Sequence, residues 1–490
     1  MSQTAASPPP RSDLLDSLDD SKISRFQIKI MFVSGMGFFT DAYDLFVIGI
    51  VVYLLTSQWH LSTSQVSLLN SITLAASAVG ALVFGRVADI LGRKRIYGYE
   101  VLILAIGAIA SAFSPNYTFL LISRAVLGIG IGGDYPVSAT IMSEYAGKNT
   151  RGRMVGAVFA NQAAGLIVGP LIASIFLASG LSDNLTWRLL LGLGAIPGLA
   201  VFYLRRQIHE TPRFAMAGGE TEEAEAAIAA ATGKAGGGTG AAGSTAAPAA
   251  PAGESKARVP QSALGGFVIL ARSRRMLLWL IGAAGCWALL DFCYYGNTIS
   301  TPQILALLNP KASELHNILI QLLIFVVFAV PGYVCAILFL DKTERKTIQT
   351  LGFGMMALMF LLLGLIPSAT TVAATFIILY GISYFFTEFG PNTTTFIYPS
   401  EIFPVEVRTT ASGIAAGAGK MGAFAGAYLF PDMLAASMGL RGAEIVAGVV
   451  AAVGMVLTIF LLPEPKGKSL EELTEDAYAP PEARRQEATA

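Results

Sequence analysis

The chain has 490 residues, of which 54% are hydrophobic and 13% charged, and its 33 Lys and Arg residues balance its 33 Asp and Glu residues. This composition excludes a disordered chain, which needs low hydrophobicity and high net charge. It also excludes a basic nucleic-acid-binding protein, which needs surplus Lys and Arg. A typical soluble domain carries about 25% charged residues, so the mean hydropathy of +0.60 favours a polytopic membrane protein.

Apolar stretches recur along the chain at the length that a helix needs to cross a bilayer, about 20 residues. They follow a polar N-terminal segment, residues 1–24, which lacks the apolar core of a signal peptide. We therefore expect an all-α membrane protein. Its twelve predicted spans are 27–56, 64–88, 96–114, 117–145, 153–180, 187–206, 275–307, 315–340, 348–367, 371–401, 409–436 and 442–463.

The connections between the predicted spans alternate in charge. The even-numbered connections are rich in Lys and Arg, whereas the odd-numbered ones hold almost none. Cytoplasmic loops of membrane proteins are enriched in these residues. The pattern predicts a multi-pass protein of the plasma membrane, or of the cell inner membrane in a bacterium, with both termini in the cytoplasm.

Residues 215–260 are dominated by Ala, Gly, Thr and Pro and lack apolar periodicity. This composition indicates a flexible linker, with a short helix at 220–231, and it divides the spans into six and six. The predicted units are a polar tail at 1–26, a first six-helix bundle at 27–206, a linker at 207–274, a second six-helix bundle at 275–463 and a tail at 464–490.

The two halves carry the same charged residues after equivalent spans. Asp341 follows Asp89 by 252 positions, and Glu401 follows Glu144 by 257. A repeat of this kind is hard to obtain by chance. It predicts two similar bundles with a substrate site between them near the membrane midplane, as in secondary transporters.

The repeated charges are predicted to gate the cytoplasmic side rather than to contact the substrate. Asp89 is expected to pair with Arg93, and Glu144 with Arg151 or Arg153. Such pairs would hold the cytoplasmic face shut in the outward-facing state. The predicted gating residues are Asp89, Arg93, Glu144, Arg151, Glu401 and Arg408.

Several motifs resemble those of a known family. The segment 85–95 is similar to the loop signature of the major facilitator superfamily, and Glu210-Thr-Pro-Arg213 and 463–472 resemble its sugar-porter-like branch. Gly132-Gly-Asp-Tyr-Pro136 through Glu144, together with 38–46, is similar to the phosphate:proton symporters of that branch. The resemblance covers all twelve spans and implies the major facilitator fold.

Asp291 is the strongest candidate for a functional residue. It lies deep in the seventh span, where a charge costs about 2.5–3.5 kcal/mol on insertion scales. Trp287, Asp291 and Tyr295 are spaced four residues apart and share one helical face. Burial disfavours the charged form of a carboxyl, so we expect Asp291 to bind and release a proton and to contact a protonated oxyanion.

Two acidic clusters lie in the first bundle. The resemblance implies that Asp41 and Asp134 carry protons and that Tyr135 binds phosphate through its hydroxyl group. Arg124 is expected to be the counter-ion of Asp41, with a static ion pair as the alternative. Pro136 is expected to interrupt the fourth span.

Three further polar side chains lie within predicted spans. The resemblance places Gln162 and Asn392 among the phosphate ligands, although each could alternatively form a hydrogen bond between helices. Lys420 lies inside the eleventh span, where it would either attract an anion or compensate Asp291, with Glu388 as another partner.

These observations predict a proton-coupled symporter that imports inorganic phosphate by alternating access and works as a monomer in the lipid bilayer. It would need no cofactor or metal besides the coupling proton, would bind no nucleic acid, and is not an enzyme. The alternatives are a proton symporter for an organic acid or a sugar, and a phosphate receptor without transport. Uptake of radiolabelled solute separates a transporter from a receptor.

Overall fold

The computed structural model describes residues 15, 17–208, 210–219, 221–232, 265–437 and 439–478. Within these ranges the regular elements are all helical. Twelve long helical segments match the predicted spans to within a few residues. They are α1 Arg25–Trp59, α2 Thr63–Leu91, α3 Arg93–Ala112, α4 Tyr117–Tyr145, α5 Arg151–Ala178, α6 Asp183–Arg205, α7 Arg274–Leu308, α8 Glu314–Phe339, α9 Arg345–Leu365, α10 Ala373–Ile402, α11 Arg408–Ala435 and α12 Gly439–Leu461.

Eleven helices in the described ranges are long and apolar enough to cross a membrane. The remaining long segment, α11, spans 28 residues but is rich in Gly and Ala and contains Lys420. It packs between α7 and α2, so much of its surface faces protein rather than lipid. Because its neighbours shield it, α11 can be less apolar than the other spans.

Several spans consist of two helical parts separated by a short interruption. In α10 the helix ends at Phe389 and restarts at Pro391, immediately before Asn392. In α5 the helix ends at Ala160 and restarts at Gln162. By contrast, α4 continues through Pro136, so the predicted interruption of the fourth span is wrong.

Shorter helices flank the two bundles. The stretch predicted to be flexible, 215–260, is helical where the structure describes it, because Pro212–Gly218 and Thr221–Thr232 both form helices. The short helix predicted at 220–231 is confirmed by Thr221–Thr232, whereas the flexibility predicted for 215–218 is wrong, because these residues belong to Pro212–Gly218. Residues 233–264 lie outside the described residues. The other short helices are Gly265–Arg272, Pro367–Thr371 and Leu470–Tyr478.

Small residues allow the long helices to pack closely. A β-carbon placed on Gly132 of α4 would lie 1.9 Å from the carbonyl oxygen of Ser77 in α2. A β-carbon on Gly80 of α2 would lie 2.1 Å from the carbonyl oxygen of Ile129 in α4. The two backbones are thus in direct contact, as is common in membrane helix pairs, where van der Waals packing drives association.

Gly132→Ala tests this contact. We expect it to destabilise the protein by about 1–3 kcal/mol, because the added methyl group must displace the backbone of α2. The matched control is Gly169→Ala, also at a buried helical glycine, where a β-carbon would lie 3.8 Å from its nearest neighbour, Val47 Cβ. Thermal unfolding in detergent should show a lower midpoint for the first variant only; equal midpoints would contradict the packing described.

Candidate functional site

A buried lysine joins the two bundles at the centre of the molecule. Lys420 Nζ of α11 donates hydrogen bonds to Asp291 Oδ2 of α7 at 3.2 Å and to the Tyr295 hydroxyl at 2.9 Å. The same ammonium lies 4.2 Å from the ring centroid of Tyr135, which belongs to the first bundle. The structure therefore brings Asp291, Tyr295 and Tyr135 together around one positive charge. Lys420 pairs with Asp291 and not with Glu388, so the prediction of a Glu388 partner is wrong.

Aromatic side chains enclose this charge. Trp287 lies against Tyr135, with ring centroids 6.0 Å apart, and Phe46 stacks on Tyr295 at 5.3 Å. Gly419 lies flat against Trp287, since a β-carbon there would come within 2.5 Å of the indole Cδ1. Because these rings exclude water, the electrostatic interactions of Lys420 are stronger than they would be in solvent.

A second polar cluster lies between α5 of the first bundle and α8 and α10 of the second. The Tyr333 hydroxyl donates to Gln162 Oε1 at 2.7 Å, and Asn392 Nδ2 donates to the Tyr333 hydroxyl at 3.0 Å. Asn392 Nδ2 also donates to Glu388 Oε2 at 2.5 Å. The predicted ligands Gln162 and Asn392 are thus close together, and Tyr333 links them.

Asp134 is held in an ion-pair cluster within the first bundle. Arg205 of α6 contacts Asp134 Oδ1 at 2.8 Å and Glu100 Oε1 at 2.9 Å. Ser138 donates a further hydrogen bond to Asp134 Oδ1 at 2.5 Å. The Arg205 guanidinium therefore compensates the charge of two carboxyl groups. All three side chains are buried.

Asp41 and Arg124 do not pair. Arg124 instead lies 3.9 Å from Asp44 Oδ1 and donates to the Asp44 backbone oxygen at 2.6 Å, so the predicted counter-ion of Asp41 was wrong. Asp41 is buried, and its Oδ2 makes no hydrogen bond with the described residues. It interacts electrostatically with Asp134 and with Lys420. Asp41 is therefore placed to connect the acidic cluster of the first bundle with the central lysine.

The end of the molecule that carries the repeated charges is named here the basic face. There, Asp89 of α2 accepts hydrogen bonds from the backbone N–H groups of Thr410 at 2.6 Å and Thr409 at 3.3 Å. These groups begin α11 in the other bundle. Since helix N-termini carry unpaired donors and partial positive charge, Asp89 joins the bundles by capping α11. The predicted Asp89–Arg93 pair is confirmed at 3.1 Å.

Glu144 also crosses the basic face. Its Oε1 lies 3.3 Å from Arg93 of its own bundle and 3.0 Å from Arg408 of the other. Of the two predicted partners, Arg151 instead contacts Asp19 at 3.4 Å and Arg153 contacts Asp341 at 3.8 Å, so both predicted pairings were wrong. The error arose because Glu144 and Arg151 are close in sequence but lie on different helices.

The second bundle repeats the same contacts at equivalent positions. Arg345 pairs with Glu401 at 3.1 Å, as Arg93 pairs with Glu144. Asp341 accepts from the backbone N–H of Arg153 at 3.1 Å, near the start of α5, as Asp89 does at α11. The internal repeat read from the sequence thus corresponds to a repeat of geometry.

Two acids outside the spans fix the connecting segments to this face. Burial raises the pKa of Glu210, although hydrogen bonds from Thr211 and the charge of Arg93 oppose that shift. Burial would also raise the pKa of Glu471 in the C-terminal helix, but the charge of Arg213, 3.0 Å away, outweighs it and lowers the pKa to about 2. Glu471 is therefore charged at neutral pH and holds that helix to the short helix Pro212–Gly218.

The centre of the molecule is closed at both ends. At the basic face the bundles are joined by Asp89 and Glu144. At the opposite end α1 and α7 touch, because a β-carbon on Gly49 would lie 2.7 Å from the carbonyl oxygen of Ile299. Ile318 of α8 packs there in an apolar cluster otherwise drawn from the first bundle. The conformation is therefore occluded.

The two helical bundles are internal structural repeats and enclose a buried polar site. This arrangement is that of a secondary transporter. Residues 30–477 match the family model described as "Sugar (and other) transporter". The chain belongs to this sugar (and other) transporter family, within the major facilitator superfamily.

The curated relatives are similar over almost the whole chain. The "Probable inorganic phosphate transporter 1-6" of Arabidopsis thaliana is 35% identical, covering 95% of this chain and 96% of its own length. The "Inorganic phosphate transporter 1-6" of Oryza sativa subsp. japonica is 35% identical, with 96% of both chains covered. These names agree with the prediction of a transporter rather than an enzyme.

Solved structures share the fold. The proton:xylose symporter XylE bound to 6-bromo-6-deoxy-D-glucose aligns with a TM-score of 0.76 at 20% identity, covering 92% of this chain and 99% of that chain. The inward open conformation of XylE from E. coli gives a TM-score of 0.60 at 20% identity, covering 91% and 99%. The major facilitator fold predicted from the sequence is confirmed.

Three members of the buried polar clusters were not among the predicted site residues. Arg205 resembles an ordinary positively charged loop residue, because it ends a span beside Arg206. Tyr333 could have been found as a hydroxyl group within a strongly apolar span. Glu100 begins its span and could from the sequence equally have faced the cytoplasm, but the structure buries it fully.

Arg205→Gln tests the cluster around Asp134. We expect a loss of about 3–5 kcal/mol, because two buried carboxyl groups lose their shared cation. The matched control is Arg206→Gln, at the adjacent exposed arginine, which should change stability by less than about 0.5 kcal/mol. Thermal unfolding compares the two, and a similar midpoint for both variants would show that Arg205 is not the compensating charge.

Proposed function

We propose that this chain imports inorganic phosphate together with protons by alternating access. The observation that carries the proposal is the buried ammonium of Lys420, held between Asp291 and two tyrosines where the bundles meet. A buried cation with an adjacent titratable carboxyl can exchange one anionic partner for another. The phosphate transporters to which the chain is similar supply the substrate class.

The exchange follows from charge balance at Lys420. While Asp291 is ionised, it neutralises the lysine. When Asp291 takes up a proton, the ammonium has lost its compensating charge, and an entering anion can replace the carboxylate. When that proton leaves, Asp291 regains Lys420 and repels the anion, because like charges in a site of low dielectric constant repel strongly. Uptake of the anion and of the proton are thereby coupled.

The remaining ligands suit a tetrahedral oxyanion. Gln162 and Asn392 present amide groups that both donate and accept hydrogen bonds, and Tyr135 and Tyr295 present hydroxyl groups. Phosphate near neutral pH still carries protons, so it can donate to a carboxylate as well as accept from the amides and phenols. Trp287 closes the site on one side. We assign these residues, with Asp291 and Lys420, as substrate ligands.

The acids of the first bundle provide a route for protons. Asp41 interacts with both Asp134 and Lys420, and its free Oδ2 makes it the member of this group best placed to accept a proton. Asp134 is already bonded to Arg205, so a proton there must compete with an ion pair. Arg124, bonded to Asp44, would act indirectly by fixing α1 against α4.

The basic face would act as the cytoplasmic gate. Opening it requires that Asp89 leave the N-terminus of α11 and that Glu144 leave Arg408, while Arg345–Glu401 and Arg93–Glu144 can remain within their bundles. Arg151 would contribute through Asp19. The charge pattern of the connections supports cytoplasmic termini, and hence a location in the plasma membrane, or in the cell inner membrane of a bacterium, where the protein would work as a monomer.

Asp291→Asn tests the coupling. The amide keeps the shape of the carboxyl but cannot carry the exchanged proton, so we expect purified protein in liposomes to lose phosphate accumulation driven by a pH gradient. The membrane potential contributes about 2.3 kcal/mol per charge per 100 mV, so the potential is clamped in these assays. Asp432→Asn, at an exposed acid of α11, is the control and should accumulate phosphate normally.

Three outcomes separate the alternatives. Normal accumulation by Asp291→Asn would refute the coupling role. Accumulation of a sugar or organic acid but not of phosphate by the wild-type protein would favour the rival symporter. Binding of radiolabelled phosphate without accumulation would favour a receptor.

A further inference from the structure

Glu388 is a buried carboxyl group that the proposed mechanism does not use. It lies at the end of the first helical part of α10, three residues before Pro391, and its side chain is fully buried. Asn392 Nδ2 donates to Glu388 Oε2 at 2.5 Å, whereas Glu388 Oε1 makes no hydrogen bond with the described residues. Lys420 bonds to Asp291 and Tyr295 instead. Among the described residues, the Glu388 carboxyl is therefore held only by neutral groups, the Asn392 amide and the hydroxyls of Tyr333 and Tyr294, which also interact with it.

Among the described residues, the groups that face Glu388 offer no compensating charge. Tyr333 of α8, Tyr294 of α7 and Tyr384 of α10 are neutral phenols that interact with it, and Asp291 of α7 is another acid. On α8 the backbone at Gly332 packs directly against Glu388, since a β-carbon there would lie 3.0 Å from Glu388 Cβ. An ionised carboxylate without a cation is costly in such surroundings.

Asn392 has no free donor. Its amide nitrogen carries two hydrogens, and its two nearest acceptors are Glu388 Oε2 at 2.5 Å and the Tyr333 hydroxyl at 3.0 Å. The third acceptor in range, Gln162 Oε1 at 3.3 Å, already receives the Tyr333 hydroxyl at 2.7 Å. An anion can therefore accept a hydrogen bond from Asn392 only by displacing Glu388 or Tyr333.

We propose that Glu388 takes up a proton when the oxyanion binds, because the ionised carboxylate and the anion would compete for the same Asn392 donor. The inference rests on the proposed function and adds a second carboxyl, besides Asp291, whose proton is linked to binding. The proton comes from solvent and adds to the carboxylate, and no covalent bond of the substrate changes. The neutral acid then donates its O–H to the anion, while Asn392 is released to do the same.

The linkage gives a pH dependence of defined sign. If binding requires one more proton on Glu388, the affinity for phosphate falls as the pH rises, by up to about tenfold per pH unit from this group. Glu388→Gln is neutral at every pH and can donate a hydrogen bond, so its affinity should fall less steeply. The variant should bind phosphate more tightly than the wild-type protein at the alkaline end of the range.

Calorimetric titration of the purified full chain with inorganic phosphate, in two buffers of different ionisation enthalpy, counts the protons taken up on binding. The experiment is done across the neutral pH range in detergent. We expect Glu388→Gln to take up fewer protons per phosphate than the wild-type protein, by as much as about one. Unchanged proton uptake, or loss of phosphate binding by a variant that unfolds at the wild-type temperature, would overturn the proposal.

Glu444→Gln is the matched control. Glu444 is a fully buried carboxyl of the same bundle, on α12, and neither of its oxygens makes a hydrogen bond with the described residues. It contacts none of the substrate ligands named above, so this variant should retain the wild-type proton uptake. If Glu444→Gln reduces the proton uptake per phosphate as much as Glu388→Gln does, any buried carboxyl produces the effect. The assignment of Glu388 would then be wrong.

A second variant of Glu388 and the phosphate binding of the wild-type protein complete the test. Should Glu388→Gln fail to fold, Glu388→Asn removes the same proton and is read by the same titration. If the wild-type protein binds no phosphate, the proposed function fails before Glu388 is tested. If it binds phosphate and both Glu388 variants retain full proton uptake, only the inference about Glu388 fails.

Discussion

The arrangement of the central site depends on the buried charge of Lys420. Its ammonium touches a carboxylate and a phenol of the second bundle, Asp291 and Tyr295, and lies on the ring of Tyr135 from the first bundle. Leaving one member of a buried ion pair without its partner costs about 3–5 kcal/mol. The site therefore cannot change its charge at one residue without a response from the others.

The two bundles provide the same geometry but different chemistry. Tyr135 and Asn392 lie 257 positions apart, as do Glu144 and Glu401. At the basic face the equivalent residues still make equivalent contacts. At the centre they have diverged, because a phenol in one bundle corresponds to an amide in the other. The repeat thus places side chains from equivalent spans around one point, and substitution at those positions determines what they bind.

The fold could be predicted from the sequence because span length, loop charge and the internal repeat are all local properties of the chain. The stripe of Trp287, Asp291 and Tyr295 could be predicted for the same reason, since one helix fixes which residues share a face. The ion-pair partners could not. Arg124 pairs with Asp44 rather than Asp41, a choice of less than one helical turn that depends on how α1 is rotated against α4.

The capping of α11 by Asp89 has a consequence for the departing solute. Any opening of the basic face separates this carboxylate from the N-terminal amides of α11, and Asp341 from those of α5. Both helix ends, with the adjacent arginines, then face water as an electropositive vestibule. An anion leaving the protein must cross that field, which slows its escape and is weakened by dissolved salt over a distance of about 10 Å. Ionic strength on that side of the membrane thus becomes a determinant of how fast the transporter resets.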